Sequence, residues 1–321
     1  MNPFNIIKKS YLWVVLALAI AVASLMLFLL NAKFSEEFTG GVNISLRSAS
    51  TFTTSEERMI ETNLKNYLDD QGYNNASVHL NPHETQLQIK INASLANDEK
   101  VAELSTDVQN FLTSQKLISS SEDIIGQAII GPSVGSYMKT SAFQALIIGI
   151  LLMVIYMLFA FGKIRKDIPA SILGITVLGV LVFNVLFTLG AYGMRMMFDS
   201  TIQVDTVFII AVLTVVAYGV NDVIVIFDRI RENILKHTKE KVLLGKIIEA
   251  SLWQTMRRSI GTSFSTLLVL ITMFIFGTGV LRQFALAVGC GIIAATLSSI
   301  FLGGSLAYLL MGKFKSEVNK L

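Results

Sequence analysis

An aspartate inside an apolar run and an arginine at the mouth of the next one are the residues best placed to do chemistry. Asp222 lies in Ala217-Tyr218-Gly219-Val220-Asn221-Asp222-Val223-Ile224-Val225-Ile226-Phe227, and Arg258 just precedes Ser259-Ile260-Gly261-Thr262-Ser263. An ionisable group at membrane depth costs at least about 2.5–3.5 kcal/mol on insertion scales, so such a group faces a partner or a wet cavity. Thr214, Tyr218 and Asp222 follow at i, i+4, i+8 with Asn221 beside them, one polar stripe on an apolar helix. Arg258, Thr262 and Thr266 repeat the spacing with Ser265 alongside. The two stripes, one anionic and one cationic, are expected to face each other on neighbouring helices. A carboxylate balanced between desolvation and a guanidinium can load and release a proton as the arginine moves. The plainer alternative is a static buried ion pair or a helix–helix hydrogen bond.

The elements that must position these groups are membrane helices. Of 321 residues 53% are hydrophobic, and the mean hydropathy is +0.61. Six apolar runs long enough to span a bilayer fall at about 11–30, 140–161, 168–193, 204–227, 260–277 and 284–311. The first run is too long for a signal-peptide core and lacks a convincing cleavage site, so it reads as a retained anchor. Asp222 then lies about six residues from the cytoplasmic end of the fourth run, roughly 9 Å deep at about 1.5 Å per residue.

Lys8, Lys9, Lys163, Arg165, Lys166, the cluster from Arg229 to Arg258, and Lys313, Lys315 and Lys320 all fall on one side. That predicts cytoplasmic termini and an exported 31–139 segment. The exported segment is net acidic and the remainder basic, so the overall charge of +3 reflects topology and points to no nucleic acid. Cys290 is the sole cysteine, which leaves no disulfide framework and no cysteine metal site.

Within 31–139, Val42-Asn43-Ile44-Ser45-Leu46 alternates as a strand, and Thr54-Ser55-Glu56-Glu57 forms a capping box ahead of a helix with Ile60, Leu64, Tyr67 and Leu68 on one face. Strands at 77–80 and 87–91 flank a turn expected at Asn81-Pro82. A second helix carries Val101, Leu104, Val108, Phe111 and Leu112, and Ala128-Ile129-Ile130 closes the segment. The order β-α-β-β-α-β is that of a ferredoxin-like sandwich. The expected fold class is therefore a polytopic α-helical membrane protein with six transmembrane helices and one exported α+β ferredoxin-like domain between the first two. The divisions fall at 1–30 (lead-in and first helix), 31–139, 140–313 (five helices, with a basic cytoplasmic loop at 228–257) and a tail at 314–321.

Asp205, Asp228, Arg229 and Arg231 sit at span ends, where snorkelling and solvation suffice. Asn184 reads as interhelical glue. Gly289, Gly291, Gly303 and Gly304 make the sixth run small on several faces and favour close packing, extending to a second protein. Enzymatic readings find no support: HExxH, GxSxG and P-loop patterns are missing, His79 and His83 are separated by Pro82, and only one carboxylate lies at depth. No cofactor is expected.

Gly219-Val220-Asn221-Asp222-Val223-Ile224-Val225-Ile226-Phe227-Asp228-Arg229-Ile230-Arg231-Glu232-Asn233 resembles the signature of the SecF branch of the SecD/SecF family of protein-export subunits. Phe38-Thr39-Gly40-Gly41, Arg258 to Ser263, Phe276-Gly277 with Val280 to Ala285, and Ser298-Ser299-Ile300 resemble further family stretches in the expected order. The resemblance implies half of a twelve-helix assembly of the RND superfamily, paired with SecD and working beside the SecYEG channel, YajC and YidC in the bacterial inner membrane. It implies use of a proton or sodium motive force to draw unfolded precursor polypeptide outward, with Asp222 and Arg258 as the coupling pair, Asn221 and Thr262 beside them, and the Phe-Thr-Gly-Gly stretch as a substrate- or partner-binding motif. Three positions depart from the pattern: Glu37 replaces an aspartate, and Gly219 and Val223 replace a serine and a threonine that flank Asn-Asp. Two rival readings are a half-size RND exporter of lipid or hydrophobic small molecules and a non-transporting scaffold of a translocation complex.

Overall fold

Why the helices outrun the apolar segments is clear from the arrangement of the chain. A computed structural model describes residues 5–47, 54–73, 76–83, 86–92, 98–115, 117, 123–161, 170–199, 202–236, 243–277 and 279–318. After a 3₁₀ turn at Ile7–Lys9, helix α1 spans Ser10–Asn31, followed by the short α2, Glu36–Thr39. Strand β1 (Gly41–Arg47), α3 (Thr54–Asp70), β2 (Ser77–His83), β3 (Gln86–Asn92), α4 (Asp98–Ser114) and β4 (Ile124–Ile130) form the domain between the first two membrane helices. Then come α5 (Pro132–Phe161), α6 (Ala170–Phe198), α7 (Thr206–Lys236), α8 (Leu244–Phe276), α9 (Gly279–Leu297), a π turn at Ser298–Gly303 and α10 (Gly304–Val318). Among the described residues six helical stretches are long and apolar enough to cross a membrane, α9 to α10 counting as one.

Three expectations change. Helix α5 begins at Pro132, not near 140, because proline is at home in a first helical turn. The stretch 228–257 is mostly helix, not loop: α7 runs through Lys236 and α8 starts at Leu244. Outside an apolar medium a helix needs no apolar surface, and pairs at helical spacing support this one, Arg229–Glu232 and Lys236–Glu232. The turn expected at Asn81-Pro82 is instead strand, with β2 continuing to His83. β2 is a sheet edge, the position at which a proline costs no ladder hydrogen bond. The side chains of Thr54 and Glu57, expected to form a capping box, lie outside the described residues.

The sheet is four-stranded and antiparallel in the order β2-β3-β1-β4, with Val42 opposite Ile91 and Ile129. Alternation places Val42, Ile44 and Leu46 of β1 and Leu87, Ile89 and Ile91 of β3 on one face, packed against Leu64 and Leu68 of α3 and Leu104 and Val108 of α4. A separate core fills the helical bundle around α6, α7 and α9. Helices α5 and α8 keep most of their apolar surface outside it.

Helices α1 and α6 meet where side chains are smallest. A Cβ on Gly190 would lie 2.5 Å from the Ser24 Cα, and one on Gly193 would lie 2.7 Å from the Phe28 Cα. Lipid offers no hydrophobic drive for helices to associate, so close backbone contact of this kind supplies the attraction. Gly190→Ala is therefore expected to part the two helices and destabilise the protein by about 1–3 kcal/mol. Thermal unfolding in detergent checks this, and an unchanged midpoint would mean that the contact does not hold α1.

Candidate functional site

Asp222 lies on the inward face of α7, 2% exposed. Its electrostatic neighbours are the Ser259 hydroxyl and the Arg258 guanidinium, both on α8. Asp222 Oδ2 and Ser259 Oγ are buried without a hydrogen-bond partner. No ion pair within 4.0 Å joins Asp222 to Arg258 among the described residues.

The stripe that α8 turns inward is not the expected one. Ser251, Thr255, Ser259 and Ser263, four residues apart, are buried, whereas Arg258 and Thr262 are exposed and Thr266 is half-buried. On α7, Thr214 and Asn221 are likewise exposed and Tyr218 half-buried. The physical reason is cost: hydroxyls can return a hydrogen bond to their own helix, and a guanidinium cannot. Ser251 donates to the Ile247 carbonyl at 2.8 Å and Thr255 to Ser251 at 3.0 Å. The four-residue run of small hydroxyls was visible in the sequence, one position away from the arginine.

A directional chain of hydroxyls runs beside Asp222. Tyr218 donates to Ser263 Oγ at 3.0 Å, Ser263 lies 2.5 Å from Thr296 Oγ1 of α9, and Thr296 donates to the Ile292 carbonyl at 2.9 Å. Next to it, Ser298 of the π turn donates to Asn184 Oδ1 of α6 at 2.6 Å. A Cβ at Gly219 would stand 2.6 Å from Asn184 Nδ2, so a side chain there would require that amide to shift.

The Phe-Thr-Gly-Gly stretch lies at the far end of α7, where α1, α5 and α7 meet the sheet. Phe38 is 6% exposed and Thr39 donates to the Ser35 carbonyl at 3.0 Å. Gly40 (φ +82) takes a left-handed conformation that suits glycine, and Gly41 opens β1. A Cβ on Gly135 of α5 would come within 3.0 Å of the Gly40 nitrogen. Ser35 donates its amide to the Val204 carbonyl at 3.0 Å and Val204 donates to Lys33 at 2.7 Å, so the segment after α1 pairs with the segment before α7.

Acidic side chains fill this junction. Glu36 (2% exposed) accepts from Asn43 Nδ2 at 2.8 Å and lies 3.7 Å from Lys90 Nζ. Glu37 accepts from the Thr206 amide at 2.8 Å, and Asp205 accepts from the Phe208 amide at 2.8 Å as the cap of α7. Asp205, expected to be solvated at a span end, is in fact 6% exposed. The sequence signal for it was an aspartate immediately ahead of a helical run and three residues before Phe208.

The matches to known proteins bear on both regions. The profile described as "Protein export membrane protein SecD/SecF, C-terminal" matches residues 111–313. The chain belongs to the SecD/SecF family. It is 27% identical to the protein translocase subunit SecF of Acidaminococcus fermentans over 98% of this chain and 100% of that one. Identity reaches 38% with the SecF of Sebaldella termitidis, over 59% of this chain and 56% of that one. The crystal structure of SecDF from Thermus thermophilus, titled a translocon-associated membrane protein, superposes with a TM-score of 0.73 at 25% identity, over 95% of this chain. The chain spans 38% of that SecDF chain. For a SecD/SecF family member, the buried acid on α7 and the glycine junction both fall in stretches on which the family resemblance rested.

Two expectations follow. Restoring the family hydroxyl with Gly219→Ser is expected to destabilise the protein by about 1–3 kcal/mol through collision with the Asn184 amide. The Asn184→Ala background should relieve most of that loss, and a double-mutant cycle of thermal unfolding measures it; additive losses would rule the collision out. Burial holds the Asp205 carboxyl above its ordinary range, with the Phe208 amide and Lys90 opposing and Glu37 and Glu36 reinforcing. Its neutral form therefore contributes stability that is complete at acid pH and lost as pH rises through the raised value. Asp205→Asn, which still caps Phe208, is expected to flatten the fall in melting temperature as pH rises above the ordinary aspartate range. A wild-type slope in the variant would exclude Asp205 as its source.

Proposed function

We propose that this chain is the SecF-type subunit of a Sec protein translocase, which pairs with a SecD half and uses a proton or sodium gradient to promote outward movement of precursor polypeptide. The observation that carries the reading is Asp222, a buried carboxyl on an otherwise apolar membrane helix, with one hydroxyl facing it and a guanidinium on the adjoining exposed face. A static buried pair would hold Arg258 against Asp222; the separation of the two leaves the carboxyl free to exchange a cation. Relatives named SecF over the whole chain support the role, and the fused SecDF of Thermus thermophilus supports the pairing with SecD.

In this reading Arg258, Thr262 and Asn221 are the coupling groups that a second six-helix half would cover, since an exposed guanidinium and amide have no place against lipid. Residues 31–139 form the exported domain, and the strand order β2-β3-β1-β4 with both helices on one face supports a ferredoxin-like sandwich. Residues 1–30, 140–313 and 314–321 make up the anchor, the five-helix unit and a cytoplasmic tail. Both termini face the cytoplasm, as the lysines and arginines at the ends of the helices favour. SecYEG, YajC and YidC are the proposed neighbours in the inner membrane, and the junction at Phe38, Thr39, Gly40 and Gly41 serves the domain's engagement with precursor.

The test is export of a secreted precursor in cells depleted of this chain and supplied with wild type or Asp222→Asn, at equal expression and equal SecD co-purification. Precursor accumulation with the variant, with export reduced about tenfold or more, is the expected result; a tenfold change corresponds to about 1.4 kcal/mol. Equal export by both proteins would remove ion coupling and leave a scaffold role.

A further inference from the structure

Glu37 takes no part in the coupling chemistry, and its hydrogen bond to the start of α7 gives it a task. Thr206, Val207 and Phe208 open α7, and their amides have no partner within the helix. Asp205 takes the Phe208 amide from within the same segment. The Thr206 amide instead goes to Glu37 Oε2 at 2.8 Å, a side chain 169 residues away in sequence. A carboxylate at this end also meets the positive pole of the helix.

The neighbouring residue reaches the other way. Glu36 points into the α/β domain, where it takes Asn43 of β1 and Lys90 of β3, and Asn43 in turn accepts from Gln88 of β3 at 3.2 Å. Two successive carboxylates on the four-residue helix α2 thus grip the sheet on one side and the start of α7 on the other. The backbone exchange between Lys33, Ser35 and Val204 runs alongside. The packing of Gly40 on Gly135 fixes the same segment against α5.

We infer that Glu37 is a positioning residue that ties the α/β domain to α7, the helix bearing Asp222, so that displacement of α7 along its axis is delivered to the sheet through Glu37, α2 and Glu36. The linkage builds on the coupling reading for its purpose, but its geometry stands without it. The Glu37 carboxylate crosses from α2 to the Thr206 amide at 2.8 Å. The tie needs an acceptor of this reach, and a neutral amide oxygen suffices.

The experiment uses the full-length chain in lipid nanodiscs with Cys290→Ser and nitroxides at Thr113→Cys on α4 and Leu235→Cys at the end of α7. Pulsed electron resonance gives the spread of the distance between them, and hydrogen exchange follows the peptide covering residues 202–212. Glu37→Ala is expected to broaden the distance distribution and to accelerate exchange at the start of α7 about fivefold, the loss of one cap. Glu37→Gln is expected to return both to the wild-type values, which a general loss of packing would not allow. The proposal falls if Glu37→Ala leaves both measurements unchanged, or if Glu37→Gln behaves as Ala does. Export by Asp222→Asn reports separately on ion coupling, so that either idea can fail while the other stands.

Discussion

A carboxyl group on a helix surrounded by protein and lipid must find its polar company among neighbouring helices, because hydrocarbon supplies none. At Asp222 the nearby polar groups come from α8, in Ser259 and Arg258. Some buried hydroxyls bond only within their own helix: Thr176 donates to Ile172 and Thr188 to Asn184, each at 2.8 Å. Such groups let helices pack without specifying a partner. Bonds between helices occur near Asp222 and away from it, where Asn233 of α7 donates to Ser251 of α8 at 2.8 Å. Tyr218 with Ser263 and Thr296 links α7, α8 and α9, and Asn184 with Ser298 links α6 to the π turn. Polar side chains thus set α7 against α8 at Tyr218, near Asp222, and again at Asn233.

The π turn belongs to the same logic. One extra residue in the turn at Ser298–Gly303 re-aims the side chains that follow, and such turns collect at functional positions. Its first residue, Ser298, donates to Asn184, whose amide nitrogen lies beside Gly219. A side chain at 219 would require the Asn184 amide to shift.

Much of this was legible in the sequence because hydrophobic length and alternation are local signals. The six helices, the strands at Val42 to Leu46 and Leu87 to Ile91, and the isolation of Asp222 all follow from residues read in order. What escaped was azimuth and distance. Arg258 and Ser259 are adjacent, about 100° apart on a helix of 3.6 residues per turn, and the sequence offers both as partners for the acid. Only packing decides that the serine turns inward and the arginine outward. The contacts of Glu37 with Thr206 and of Glu36 with Lys90 cross long stretches of chain, and no periodicity announces them. Helix ends were also misplaced, since polar residues that extend a helix beyond the membrane carry no hydropathy signal.

The two ends of the bundle use one device. At the start of α1, the amides of Ile6 and Ile7 both donate to the carboxylate of Glu249 on α8, at 3.0 and 2.8 Å, and Trp253 holds the same carboxylate at 2.9 Å. At the opposite end, Glu37 takes the first amide of α7. In each case the free donors of a helix start are met by an acid from a distant segment. The helix so tied is α8 in the first case and α7 in the second. These are the two helices whose contact puts Ser259 beside Asp222, and they are fixed along their axes from opposite ends. Sliding of one past the other would move the carboxyl from its hydroxyl while straining a tie at each end. The position of a single acid is thereby made sensitive both to the lead-in of α1 and to the α/β domain at the other end.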